Sequence, residues 1–550
     1  MKAAELFVQC LETEGIQYIF GVPGEENAHF MIALEQSDKI KFILTRHEQG
    51  AAFMAEVYGR LTGTPAVCLG TLGPGATNLI TGVADSNMDR APMLVITGQG
   101  ASTRLHKESH QVMDVVAMFT PVTKWAHSII HPDTIPEVTR KAIRLARTEK
   151  PGACHLELPE DIAQMKTSKK PLQPRRFRRP VPDEVIINEA FEEICNAKRP
   201  IIIAGNGCIR KRASQQLRQF CEKTGIAVVS TFMAKGCVDM NADYCLYTIG
   251  LQAKDTISCA IDAADLVITL GYDMVEYHPH LWNSKKTKKI IHVDFLPAEI
   301  DECYHPETEV VGDLANSLSQ LNTLFANCEL PQFDFKQQAA TRIEITKELN
   351  KHKNDKTKET IRPQKILFDA RQVMGPHDIL LSDVGAHKIW IGRHYQCHEP
   401  NTCLIPNGFC SMGFALPGAI AASLVYPDKR ILAICGDGGF LMNMQEMETA
   451  KRLGSNIVVM VWEDKAYGLI SWKQDAEFGQ HTNLEFDNPD WLQLAKAFGW
   501  HGHKITNSEH LLGALEVAFQ ERGPSLLAIP VDYRENTKLT KRLGNIVCPV

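Results

Sequence analysis

Ile431-Leu432-Ala433-Ile434-Cys435-Gly436-Asp437-Gly438-Gly439-Phe440-Leu441-Met442-Asn443 is an apolar run that stops at a glycine-rich turn. Met444-Gln445-Glu446-Met447-Glu448 then takes up a helical pattern, and Ile457-Val458-Val459-Met460-Val461-Trp462 is apolar again. Strand, helix, strand is the unit of a parallel sheet, whose members are buried on both faces and read as unbroken apolar runs. Similar runs stand at 66–69, 93–97, 201–204, 266–270 and 290–293, alternating with helical periods. The fold class expected is α/β, with doubly wound parallel sheets that place ligands at the carboxyl ends of their strands.

Two polar stretches divide the 550 residues. Residues 166–182 hold Lys169, Lys170, Arg175, Arg176, Arg178 and Arg179 among four prolines, and 329–361 is rich in Lys, Glu, Asn and Gln. The first reads as a linker and the second as a solvated helix or loop, leaving domains at 1–165, 183–328 and 362–550. A composition 44% hydrophobic and 23% charged is that of a globular chain, and a net charge of −6 offers no general basic field for nucleic acid. No apolar run approaches the roughly 18 residues of a membrane span, and Met1-Lys2-Ala3-Ala4-Glu5-Leu6-Phe7 starts an amphipathic helix rather than a secretory signal. The 16 cysteines are scattered, without a C-x-x-C pair, and even Cys397, Cys403 and Cys410 fit no zinc spacing. They are expected as buried thiols in a reducing cytoplasm. Gly205-Asn206-Gly207 lacks the third glycine of a dinucleotide fingerprint, because position 210 is Arg, and reads as a strand-to-helix turn.

Glycines between a strand and a helix let backbone N–H groups approach a phosphate, with the helix dipole in support. An aspartate among them repels that phosphate unless a divalent cation lies between, and magnesium asks for several oxygen ligands. A second donor, Asp464, follows the next strand in Glu463-Asp464-Lys465-Ala466-Tyr467-Gly468, 27 residues on. That separation accommodates the helix and strand needed to return to the same sheet edge.

These residues resemble the thiamine-diphosphate-dependent decarboxylases and carboligases, whose Gly-Asp-Gly is followed after some 25–30 residues by an Asn or Asp pair. The resemblance implies three domains, pyrimidine-binding, central and diphosphate-binding, with thiamine diphosphate and Mg2+ as cofactors. It implies metal ligands at Asp437, Asp464 and the Ala466 carbonyl, and diphosphate contacts from Gly438 and Gly439. Glu48, in Arg46-His47-Glu48-Gln49-Gly50, matches the family glutamate that hydrogen-bonds the pyrimidine nitrogen and starts proton transfer, supplied by a second subunit. Met412 matches the aliphatic side chain that bends the cofactor, and Gly75 of Gly73-Pro74-Gly75 and Gly24 of Phe20-Gly21-Val22-Pro23-Gly24 match site-lining turns. In Asp383-Val384-Gly385-Ala386-His387, Gly385 belongs to the turn, and His387 is either a diphosphate contact or a helix-start residue.

Within that family the chain is most similar to acetolactate synthases, in particular the catabolic, flavin-free branch. The similar segments are Lys107-Glu108-Ser109-His110-Gln111-Val112-Met113-Asp114, Gly271-Tyr272 with Val275-Glu276-Tyr277, and His292-Val293-Asp294. The implied reaction decarboxylates pyruvate on the cofactor and condenses the two-carbon fragment with a second pyruvate to 2-acetolactate and CO2. Gln111 is then a catalytic-site residue, and His110, Lys107 and Ile470 are substrate candidates, Ile470 lying in the loop Leu469-Ile470-Ser471-Trp472-Lys473-Gln474. A homodimer or dimer of dimers is implied, with sites at the subunit interface, no nucleic acid and no membrane. FAD is disfavoured though left open, since Gly271-Tyr272-Asp273 stands where biosynthetic members carry an arginine after the glycine. The alternatives are another 2-keto acid decarboxylase or carboligase of the family, a non-catalytic subunit of the same fold, or an unrelated metal-dependent phosphate binder.

Overall fold

The computed structural model describes residues 1–175, 179–210, 212–250, 255–536 and 548. Among these residues eighteen strands form three six-stranded sheets, and every adjacent pair is parallel. The first holds β1 (Tyr18–Gly21), β2 (Lys41–Leu44), β3 (Ala66–Gly70), β4 (Met93–Gln99), β5 (Trp125–Ser128) and β6 (Ala153–Pro159), in the order β2-β1-β3-β4-β6-β5. The second holds β7 (Pro200–Ala204), β8 (Ala227–Ser230), β9 (Cys245–Thr248), β10 (Leu266–Leu270), β11 (Lys289–Asp294) and β12 (Thr308–Val311), ordered β12-β11-β10-β7-β8-β9. The third holds β13 (Ile379–Ser382), β14 (Cys403–Leu404), β15 (Ile431–Gly436), β16 (Val458–Glu463), β17 (His501–Lys504) and β18 (Ser525–Pro530), ordered β14-β13-β15-β16-β18-β17. The first and third sheets share one topology, and each reverses direction beside its first strand, between β1 and β3 and between β13 and β15. Such reversals open a crevice at the carboxyl ends of the two strands.

The apolar runs become strands because both of their faces are covered. In β16, Val458, Met460 and Trp462 join one buried cluster and Val459 and Val461 another, the period-2 alternation of a sheet sandwiched between layers. The helices used below are α1 (Glu48–Thr62), α2 (Pro74–Met88), α3 (Ser214–Thr224), α4 (Lys336–Asn350), α5 (Ala386–His394), α6 (Ala415–Val425), α7 (Asp437–Met442), α8 (Glu446–Leu453) and α9 (Gly468–Phe478). Small residues let α1 approach its neighbours closely. A Cβ on Gly82 of α2 would stand 2.5 Å from the Ala52 Cβ, and one on Gly418 of α6 2.9 Å from Val57 Cγ2. Phe53 of α1 and Phe414, just before α6, meet edge-on at 5.7 Å, so the first and third sheets share a core.

Three expectations are corrected. The stretch 329–361 is not solvated throughout: α4 buries Thr341, Ile345 and Leu349 against the central sheet, and Gln338 Nε2 donates to the Pro200 carbonyl at 2.9 Å. The apolar face is an i, i+4, i+8 row inside a polar composition, which a count of residue types hides. Residues 469–474 are not a loop but lie inside α9. The cysteines are not all free thiols: Cys259 and Cys548 form a disulfide with Cα atoms 5.4 Å apart, while the other fourteen are unpaired. Among the described residues of 166–182 the chain has no helix or strand and is mostly exposed; Arg176 and Arg178 lie outside the described residues.

Candidate active site

β15 ends at Gly436, paired in register with Trp462 of β16, so both strands leave the sheet at one point. Asp437 starts α7 there and is 1% exposed. Its Oδ2 accepts hydrogen bonds from the backbone N–H of Asp464 at 3.1 Å and Lys465 at 2.7 Å, and its Oδ1 accepts from Gly438 N at 2.9 Å. Asp464 faces it closely. Burial, and then the Asp437 carboxylate, push the Asp464 carboxyl up to about 8. Two buried acids with no cation between them share a proton, and a divalent ion replaces that proton. Gly468 begins α9 against the pair: a Cβ there would collide with Asp464 Oδ2 at 2.1 Å. Cβ atoms on Gly438 and Gly439 would meet Tyr467 Cε1 at 2.9 Å and Asp383 Oδ1 at 3.0 Å, so a bare backbone is what this turn accommodates.

Across the crevice, β13 runs into Gly385 (φ +156°) and the first turn of α5. His387 is buried there against the Gly436 turn. Its Nε2 has no hydrogen-bond partner among the described residues, and burial drives its imidazole down to about 3, so the ring is neutral. A buried polar atom without a partner is rare in a finished fold and marks where a ligand group is due. Met412, Ala466, Ile470 and Tyr533 complete the same crevice with Gly385, His387, Gly438, Gly439, Asp437 and Asp464. A neutral imidazole, two acids and a glycine turn form a donor set for a metal-bridged diphosphate, with apolar side chains where its organic part would extend.

Every residue lining that crevice lies between 384 and 533, and Glu48 is not among them. Glu48 starts α1 at the reversal of the first sheet, 8% exposed, with Oε2 accepting from Asn78 Nδ2 at 2.9 Å. Gly75 lies beside it: a Cβ there would stand 3.3 Å from Glu48 Oε1. Gln111 (φ +59°) packs on the same turn, 3.0 Å from a Cβ built on Gly73, and Gly24 abuts Thr71 at the end of β3. His110 and Lys107 are exposed on the segment that leads to Gln111. The predicted residues therefore fall into two groups, one at the reversal of each like-wound sheet.

Three participants escaped the sequence reasoning. Asn488 Nδ2 donates to Asp437 Oδ2 at 2.8 Å from 51 residues downstream, and no motif marks it. Asp383 accepts from Gly413 N at 2.9 Å and Ala415 N at 3.1 Å, which fixes the turn carrying Met412; burial raises its carboxyl to about 6. Glu446 Oε1 accepts from both Arg46 N and His47 N at 3.0 Å, tying α8 to the entry of α1 just before Glu48. The two acids were visible in the sequence, Glu446 at a helix start and Asp383 at a strand end, but their distant partners were not.

The comparisons agree with this geometry. Three family models match along the chain: "Thiamine pyrophosphate enzyme, N-terminal TPP binding domain" over residues 1–118, the central domain over 187–321, and the C-terminal TPP binding domain over 383–529. The chain is 32% identical to an acetolactate synthase of Bacillus subtilis, covering 99% of this chain and 97% of that protein. It is 33% identical to a catabolic acetolactate synthase of Raoultella terrigena over 98% of this chain and 97% of the relative. A probable acetolactate synthase large subunit of Methanocaldococcus jannaschii is 32% identical over 100% and 96%. With two carboxylates, a neutral histidine and bare glycines at one sheet reversal, and full-length relatives of one kind, the chain belongs to the thiamine pyrophosphate enzymes and, within them, to the acetolactate synthases.

Proposed function

We propose that this chain joins two molecules of pyruvate into 2-acetolactate with release of CO2, using thiamine diphosphate and Mg2+. The observation that carries it is the Asp437–Asp464 pair facing the unpartnered His387 Nε2 across one crevice. Asp437, Asp464 and the Ala466 carbonyl would hold the metal, and His387 in its Nε2–H tautomer would donate to a diphosphate oxygen. The Gly439 N–H would take the remaining charge, while Gly438, whose N–H donates to Asp437 Oδ1, would line the diphosphate with its bare backbone. When bound, thiamine diphosphate supplies a carbon nucleophile for the keto carbon of pyruvate and an electron sink for decarboxylation. Met412 would pack against the organic part of the cofactor, and Ile470 would help exclude water from the crevice.

Glu48 would hold the proton needed at the pyrimidine nitrogen, oriented by Asn78 and by the Glu446 clamp on the preceding amides. Because the crevice is built from residues 384–533 alone, Glu48 would come from a second copy, making a homodimer the minimal active unit and a dimer of dimers compatible with it. Gln111, and beyond it His110 and Lys107, would arrive with Glu48 and meet the pyruvate carboxylate. We also propose domain limits at 165/183 and 328/362, and a cytoplasmic setting supported by fourteen free thiols. No helix among the described residues is long and apolar enough to cross a membrane. The test is product identification from pyruvate with thiamine diphosphate and Mg2+, with and without FAD. Acetolactate without FAD agrees with the proposal; acetaldehyde alone would replace it with a simple decarboxylase.

A further inference from the structure

A cavity of about 540 Å³ opens where the three sheets' layers meet, far larger than a phosphate ion and within the range of small-molecule sites. Its wall joins the carboxyl end of α1, the segment around Arg210 and the start of α3, and the residues just before β14. Four of its six arginines carry an ion pair: Arg60 with Asp89, Arg90 with Asp273, Arg218 with Glu399 and Arg210 with Glu149. Both acids that line the cavity, Asp89 and Glu399, are accounted for in those pairs.

Donors nevertheless remain on three of the six arginines. Arg147 is exposed, with no ion-pair partner among the described residues, and Arg212 makes only a 3.5 Å bond to the Thr62 carbonyl. Arg210 places Nη2 on Glu149 at 3.0 Å, but its Nε and Nη1 are buried without a partner. Beside them α3 begins at Ser214 with no capping side chain, because its N-cap is Ala213. The Ser214 hydroxyl, 7% exposed and also lining the cavity, has no partner among the described residues. Unpartnered guanidinium donors, a buried free hydroxyl and an uncapped helix start all call for the same thing, a multiply charged oxyanion.

We propose that this junction binds the phosphate group of a small phosphorylated molecule, held by Arg147, Arg210, Arg212 and Ser214 at the start of α3. The volume left beyond the phosphate takes the organic part, so a phosphate monoester binds more tightly than the bare ion. The site is distinct from the diphosphate crevice, since the two cavities share no residue.

The experiment uses the full-length protein saturated with thiamine diphosphate and Mg2+, titrated calorimetrically in a phosphate-free buffer with inorganic phosphate, glycerol 3-phosphate and, as a carboxylate control, succinate. Saturable binding of one glycerol 3-phosphate per chain is expected, at lower Kd than inorganic phosphate. Arg147→Ala/Arg212→Ala and, separately, Ser214→Ala should weaken it tenfold or more and leave acetolactate formation unchanged. The two arginines are exposed, so their removal leaves the core intact. The absence of saturable binding by either phosphate, equal affinity in wild type and the double variant, or succinate binding as tightly would overturn the proposal.

Discussion

Replacing His387 by Ala is the sharpest test of the crevice. In the protein without cofactor, Nε2 is a buried polar atom with no partner among the described residues, a condition that costs about 1–3 kcal/mol. Its removal relieves that cost while giving up the ring's packing against Gly436 and Trp462. The two terms oppose each other, so the thermal midpoint without cofactor should move little. With thiamine diphosphate bound, the Nε2–H tautomer would donate to a charged oxygen, a bond worth about 1.5–3 kcal/mol. Losing it raises the cofactor Kd by about 10- to 150-fold, at roughly 1.4 kcal/mol per factor of ten. The imidazole is neutral throughout the ordinary pH range, having been driven down to about 3, so this loss should be the same at pH 6 and pH 8. The assay is calorimetric titration of thiamine diphosphate at fixed Mg2+ at both pH values, with melting of the cofactor-free protein alongside. A Kd within twofold of wild type would refute the assignment of His387 to the diphosphate. A loss confined to low pH would show a cationic imidazole and refute the reasoning about burial.

Glu48→Gln should retain cofactor binding and lose at least about 100-fold in turnover, while Asp437→Ala should fail to hold thiamine diphosphate at ordinary magnesium. Co-refolded mixtures of the two should recover part of the activity, and mixed dimers without any recovery would contradict a site shared between copies. Glu56, Asp85 and Asp89 form a buried acidic group beside Arg60, where burial and mutual repulsion raise Asp85 to about 8 and Glu56 well above its usual value. A raised carboxyl keeps a proton in the fold that the unfolded chain releases above about pH 4, so stability falls as pH rises toward 8, by about 1.4 kcal/mol per pH unit for each such proton. Asp85→Asn should flatten the decline of the thermal midpoint between pH 5.5 and 8, its Oδ1 still accepting from Ser411 N; an unchanged slope would argue against a held proton. Phe53→Ala removes a fully buried ring from the α1–α6 contact and should cost about 3–5 kcal/mol in denaturant unfolding.

The parallel sheets, the Gly-Asp-Gly turn after β15 and the acid after β16 could be read from order along the chain. Apolar runs and turns are local patterns, and a βαβ unit spans few enough residues that spacing alone returns Asp464 to Asp437. Glu48 was likewise legible as the first residue of a helix. Tertiary structure alone decided what those residues touch. Asn488 reaches Asp437 from 51 positions away, and Glu446 holds amides 400 and 399 positions away. It also decided that α4 lies on the central sheet rather than in solvent. Hydrogen bonding and packing are short-ranged in space but indifferent to sequence separation. Periodicity therefore announces the elements, whereas the partners of buried polar groups emerge only once the layers have been brought together.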